Sequence, residues 1–169
     1  MKKVLLTGIA VLVIAATAGL AYWMFNSSVE VEREPFVVPP MGEQYTNETY
    51  GFSATLPQGF AAREMEGMVI LENQTGEGIQ IAITPTDEDI PSLSAERIQV
   101  DIPDMAVREP QIVEIGESRT GLAFKSDNEA FNGASREVWF VFRGNLYQIS
   151  TYEYLDPLLQ AIFQTWQFQ

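Results

Sequence analysis

An uncharged apolar run from Val4 to Phe25, preceded by Met1-Lys2-Lys3, limits this chain more than any other feature. At about 1.5 Å per helical residue it reaches roughly 33 Å, enough to cross a hydrocarbon core of about 30 Å. Tyr22 and Trp23 fall at its far end, where amphipathic rings favour the membrane interface. Lys2 and Lys3 are the only basic residues before Arg33, while Glu30, Glu32 and Glu34 follow the run. The positive-inside rule predicts a single transmembrane helix over residues 1–25, N-terminus cytoplasmic, with the rest of the chain outside the cell membrane. A cleaved signal peptide competes with this reading, with Ala16-Thr17-Ala18 as its small-residue cleavage site. Apolarity continues past Ala18 and ends in aromatics, which favours the anchor; both readings export the domain. There is no cysteine to carry a lipid.

The chain has 169 residues, which suits one domain plus an anchor. Apolar residues make up 46% and charged residues 20%, so a packed core is expected. Histidine and cysteine are both absent. This excludes disulfides, thiolate chemistry, Ser-His or Cys-His nucleophile systems and any His/Cys zinc site. A net charge of −13 argues against nucleic acid as a partner and for a soluble acidic surface that stands off anionic lipid headgroups.

Residues 26–44 read as an extended acidic tether: Ser27-Ser28, the alternating Val29-Glu30-Val31-Glu32, then Pro35, Pro39 and Pro40. Residues 45–169 read as the folded, extracytoplasmic domain. Phe52, Ala54 and Leu56 share one face of a strand that Pro57 stops, and Met68–Leu71 pairs with Ile79, Ile81 and Ile83 across a glycine turn. Ser94 caps a short helix, with Leu93 stapled to Ile98 and Pro103 beyond its end. Ile112–Ile115 and Leu122–Phe124 read as strands. The hairpin from Arg136 to Tyr152 carries Val138, Phe140 and Phe142 on one face, Trp139 and Val141 on the other, and a turn at Gly144-Asn145. Two apolar faces predict a central strand. Asp156 caps the last helix, Pro157 opens it, and Leu155, Leu158, Leu159, Ile162 and Phe163 make one apolar stripe. Trp166 and Phe168 close the chain in a short strand. This order predicts an α+β domain with a mostly antiparallel sheet.

Tyr50-Gly-Phe-Ser-Ala-Thr-Leu-Pro-Gln-Gly-Phe60 resembles the opening of PsbP-like domains, relatives of the extrinsic PsbP subunit of photosystem II and of DcrB-type bacterial lipoproteins. Gly121–Phe124, Trp139-Phe140, Leu146–Ile149 and Thr165–Phe168 are similar to the C-terminal half of that family. The resemblance covers most of residues 45–169 and rests on aromatics, glycines and prolines that bear the fold. It implies an α/β/α sandwich, a central antiparallel sheet with helices on both faces. It also implies an extracytoplasmic assembly or accessory role. The photosynthetic member helps retain calcium and chloride; the histidines of proposed metal sites there have no counterpart here, and the anchor departs from the lipoprotein pattern.

Candidate sites are few. Asp87, Glu88 and Asp89 are hard oxygen ligands in sequence, but consecutive residues point in different directions and the spacing and glycine of an EF-hand loop are missing. Asp101 and Asp104 flank Pro103 as loop residues. Lys125 is the one lysine outside the extreme N-terminus, and Ser126 and Asp127 are read as part of a polar loop from Ser126 to Ala134. A carboxylate hydrolase needs two acids in a cleft, and with 23 acidic residues their abundance is no argument. Tyr147, Tyr152, Tyr154, Trp139 and Trp166 cluster in the C-terminal half, with Trp139 and Trp166 expected in the core. Phe131, Asn132 and Gly133 are the candidate partner-contact residues. The expectation is a non-enzymatic binding or assembly module without metal or cofactor. It would be anchored in the membrane of a bacterial-type cell and act on an envelope protein. A small-ligand or cation-binding accessory protein is the alternative, and a carboxylate hydrolase trails both.

Overall fold

The computed structural model describes residues 35–87, 93–117 and 119–169, with the side chain of Glu129 left aside. The expected anchor Val4 to Phe25, its interfacial Tyr22 and Trp23, the first part of the tether, and Glu88 and Asp89 lie outside the described residues. Among the described residues no helix is long and apolar enough to cross a membrane.

Sheet structure starts earlier than the sequence pattern indicates. Residues 35–40 carry no regular secondary structure, and β1 (Met41–Asn47) already pairs with β2 (Phe52–Pro57). Phe36 and Val38 pack against the main core, so the stretch read as tether through Gln44 is partly built into the domain. The prolines there are compatible because they precede the strand and leave its hydrogen-bonding positions free.

The chain then runs β3 (Phe60–Met65), β4 (Met68–Asn73), β5 (Gly78–Pro85), α1 (Ala95–Asp101), β6 (Arg108–Ile115), β7 (Arg119–Asn128), β8 (Gly133–Phe142), β9 (Asn145–Tyr152), α2 (Asp156–Gln164) and β10 (Gln167–Phe168). Seven strands form one antiparallel sheet in the order β3-β4-β5-β9-β8-β7-β6. A second sheet holds β1, β2 and β10. β3 carries no clean alternation, which is why the sequence pattern passes over it: four of its six side chains are polar or small, and it is an edge.

Strand alternation sends successive side chains to opposite faces. On β8, Val138, Phe140 and Phe142 enter a large core shared with β2, α2 and Trp166. Trp139 enters a smaller core with Phe124, Leu122 and Ile98 of α1. The two helices therefore cover opposite faces of the large sheet. The small sheet shares the α2 side, a layer that the expected sandwich did not contain.

Local chemistry explains the ends. The Ser94 hydroxyl accepts from the Arg97 N–H at 3.2 Å, the cap expected of it. The Glu96 carboxyl is held below its ordinary value, first by a hydrogen bond to its own backbone and then by Ser94. Two positions depart by one residue from the pattern. The β8–β9 turn is Arg143-Gly144, both at positive φ (50° and 70°), with Phe142 paired to Asn145. Asn145 instead sends its side-chain amide back to the Arg143 carbonyl at 3.2 Å. Asp156 sits inside the first turn of α2 rather than capping it; Leu155 takes the cap position without a side-chain bond. The Ser126 to Ala134 loop also shrinks. Ser126, Asp127 and Asn128 belong to β7, and Gly133 and Ala134 to β8, leaving a tight reversal around Glu129–Phe131.

Gly78 opens β5 where a Cβ would lie 2.2 Å from the Leu71 carbonyl oxygen, closer than any real contact. Gly78→Ala is expected to lose about 1–3 kcal/mol in urea unfolding, through displacement of β5 from β4. Burial pushes the Tyr147 hydroxyl up to about 12, and burial together with Glu64 does the same for Tyr45. Both folded values stand above the unfolded one, so this stabilisation is complete below about pH 10 and is lost as pH rises towards 12. Near-ultraviolet titration should show these two tyrosines ionising late, and loss of both late phases in Tyr45→Phe and Tyr147→Phe would confirm the assignment.

Candidate functional site

Arg136 heads the buried stretch of β8 on the face that α2 covers. Its side chain is 9% exposed, and its Nε donates to Asp156 Oδ1 at 3.0 Å. Asp156 is oriented in turn by Gln160, whose Nε2 donates to Oδ2 at 2.7 Å from one turn along the helix. The carboxylate also stands in the first turn of α2, where the helix dipole favours it. Among the described residues the two terminal Nη nitrogens of Arg136 make no hydrogen bond.

These groups form the floor of a cleft of about 360 Å³ between β6 and α2. Val113 and Val138 from the sheet and Leu159 and Phe163 from the helix make its apolar wall. Glu114 and Glu117 are exposed at its mouth, with Gln111, Gln160 and Gln164. The far end is fixed by Gly116, whose N–H donates to the Phe163 carbonyl at 3.3 Å. Gly116 has φ of 57°, and a Cβ there would fall 2.4 Å from the Trp166 carbonyl oxygen. β6 ends the large sheet, so one row of its backbone groups has no strand partner. Its first half is protected by an irregular register between Arg108 and Gln111 and by Pro110; Ile112, further along, is 68% exposed.

Two other hollows are less built. One of about 530 Å³ lies at the junction of β1, β2 and β3 and is walled largely by turn residues. One of about 210 Å³ lies under α1, against Trp139 and Leu146. The opposite face of β8 buries a second charge. Glu137, 1% exposed, accepts from Ser135 Oγ at 2.8 Å, from Ser150 Oγ and, at 3.4 Å, from Asn128. Ser126 lies directly across from Ser135, and its buried hydroxyl has no partner among the described residues.

The residues singled out from sequence are dispersed. Phe131 is half-buried, its ring edge-on to Tyr152 at 4.9 Å; Asn132, at φ 53°, is exposed beside Gly133 at the start of β8. Lys125 pairs with Glu109 and Glu153, both at 3.0 Å. The two Asp127 carboxylate oxygens accept from Arg108 at 2.6 and 2.8 Å, which holds the Asp127 carboxyl below its usual range. Asp101 pairs with Arg97 along α1. Asp87 is exposed. Among the described residues no three acidic side chains gather as a metal site would need. Trp139, Tyr147 and Trp166 are core, while Tyr152 and Tyr154 are partly buried. Sequence reasoning missed Arg136, Asp156 as its partner, and Glu137. The signal was present: two charges stand at the head of a strand whose faces are both apolar, and each must be matched on its own side.

No protein-family model and no curated protein matches the chain. Among solved structures, the solution structure of cyanobacterial PsbP (CyanoP) from Synechocystis sp. PCC 6803 superposes with a TM-score of 0.52 at 9% identity, over 82% of this chain and 99% of that one. A protein from Bacteroides thetaiotaomicron overlaps 76% of this chain and 49% of its own length, with a TM-score of 0.49 at 13% identity. The likeness to CyanoP is one of fold, and the fold expected from Tyr50–Phe60 and the C-terminal aromatics is present: the fold is PsbP-like.

Asp156→Ala is expected to cost on the order of 3 kcal/mol, the low end for breaking a buried pair, because the carboxylate is partly open to water. A double-mutant cycle with Arg136→Met should recover much of that loss. Additive losses in thermal and urea unfolding would show that the two groups act independently.

Proposed function

We propose that this PsbP-like domain is a non-enzymatic binding and assembly module. Its anchor is the apolar helix Val4 to Phe25, which holds the domain on the outer side of a bacterial-type membrane. An envelope protein docks in the cleft between β6 and α2. One observation carries the reading: a nearly buried arginine, fixed through Nε by Asp156, lines a cleft with one apolar wall beside a strand edge that is unpartnered among the described residues. Docking sites combine an apolar centre, a few fixed polar groups and a polar rim, and this cleft has each. Arg136 and Asp156 are committed to one another by a hydrogen bond, which suits recognition better than proton transfer. An anchor would confine the domain near its partner and raise the effective concentration of the pair.

The chain has no natural cysteine, so an introduced one is unique. Full-length protein carrying Glu114→Cys at the cleft mouth, or Glu66→Cys in the β3–β4 turn, can be crosslinked in its own membranes. A stoichiometric membrane or envelope partner captured from position 114 and absent from position 66 is the expected result. Equal capture from both positions, or none from position 114 over a series of crosslinker lengths, would reject the cleft as the docking site. Carbonate extraction and protease shaving of intact cells test the anchor separately. Release by carbonate, or protection of the domain in intact spheroplasts, would overturn the topology.

A further inference from the structure

We infer that the β6–α2 cleft recognises a carboxylate, and that its occupant is the C-terminal end of an extended peptide with an apolar last residue and basic residues upstream. This rests on the cleft being the docking site and adds what is read there.

The argument starts from Arg136. A guanidinium has five donors in a planar fork that matches a carboxylate in two parallel hydrogen bonds. Here Nε is taken by Asp156, which is itself held by Gln160, so the plane of the fork is set before any ligand arrives. The Nη nitrogens make no hydrogen bond among the described residues, although the side chain is only 9% exposed. The free end of the guanidinium opens on the cleft, and an anionic acceptor entering there meets a fork already oriented, at little further entropic cost.

The remaining walls narrow the ligand. Leu159, Phe163 and Val113 leave an apolar recess next to the fork, suited to one aliphatic side chain. Glu114 and Glu117 at the mouth repel a simple anion and favour a ligand that is negative at its tip and positive behind it. The domain as a whole carries the same sign as those rim carboxylates, in a chain of net charge −13. The outer edge of β6 offers backbone donors and acceptors beyond Pro110, where an extended peptide can add as a further strand. A free peptide C-terminus with an aliphatic last residue and lysines upstream meets all three demands.

The test uses full-length protein in detergent micelles and calorimetric titration with acetyl-Lys-Lys-Val-Leu bearing a free carboxyl terminus. Its C-terminal carboxamide and hexanoate are titrated in parallel. The free acid should bind about tenfold tighter than the carboxamide, the loss expected when one charge-assisted pair is removed. Arg136→Lys keeps the charge and removes the fork; it should bring the two peptides to within a few-fold of each other with the melting transition retained. Glu114→Gln with Glu117→Gln should weaken both peptides and leave their ratio unchanged. A photoreactive analogue of the last leucine should label α2 or β6. Equal binding of acid and carboxamide, labelling elsewhere, or no heat at about millimolar peptide would overturn carboxylate recognition. Hexanoate binding as tightly as the peptide would overturn the peptide as occupant. Either result, with partner capture from position 114 intact, leaves the docking cleft standing and removes only this chemistry.

Discussion

Phe52 lies flat on the indole of Trp166, ring centroids 4.4 Å apart and planes within 6°, and edge-on to Tyr147 at 6.2 Å. Phe140 stacks on the other side of this group, 4.7 Å from Tyr147 and edge-on to Trp166 at 6.1 Å. Four rings thus tie β2 and the turn after α2 to the β8–β9 hairpin. Each buried ring removes on the order of 150–250 Å² from water, and the offset and edge contacts add roughly 0.5–1.5 kcal/mol per pair. The Tyr147 hydroxyl extends the cluster by donating to the Tyr50 carbonyl at 2.6 Å. If Trp166 moves, β10 leaves β2, and the C-terminal end of α2 loses its reference.

That dependence reaches the cleft. α2 is short, and its own side chains supply one apolar stripe. Its position is set at one end by the Trp166 indole, which follows it directly, and at the other by the Arg136–Asp156 pair. Gly116 reinforces the C-terminal one: its N–H donates to the last turn of α2 while the Trp166 carbonyl occupies the space where a Cβ would stand. The cleft is the volume left between a helix pinned at both ends and an edge strand that stops short of it.

Both helices, the two apolar faces of the Arg136–Tyr152 hairpin and the closing aromatic strand were legible because each had a period or a cap to announce it. The three-stranded sheet was not. β1 begins one residue after Pro40, and proline beside acidic residues reads as tether; its pairing with β2 depends on Phe52 being drawn under by Trp166, a contact spanning more than a hundred residues. The turn at Arg143-Gly144 was missed by one position for a similar reason. Asparagine tolerates positive φ better than arginine, so Gly144-Asn145 looked the better turn. The cross-strand register of Val138 with Ile149 and Phe140 with Tyr147 overrides that preference and puts Arg143 at φ 50°. Its guanidinium is recovered over the Phe142 ring at 5.2 Å.

Arg136 and Glu137 show why the site was harder to read than the fold. They are neighbours in sequence with opposite charge, which on a surface would be a self-compensating pair. On a strand they face opposite ways and cannot meet. Each must therefore be matched by its own side of the sheet. Glu137 is matched by small donors from β8 and β9, Ser135 and Ser150, with Asn128 behind them. Arg136 is matched only once, by Asp156, and its remaining donors open on a cleft. The same strand thus carries one charge satisfied by the fold and one left partly to be satisfied from outside. The asymmetry arises after the chain is folded, since it depends on which layer covers each face. A helix, with its side chains spaced along an axis, leaves a gap beside the arginine; the hydroxyls of neighbouring strands close directly on the glutamate.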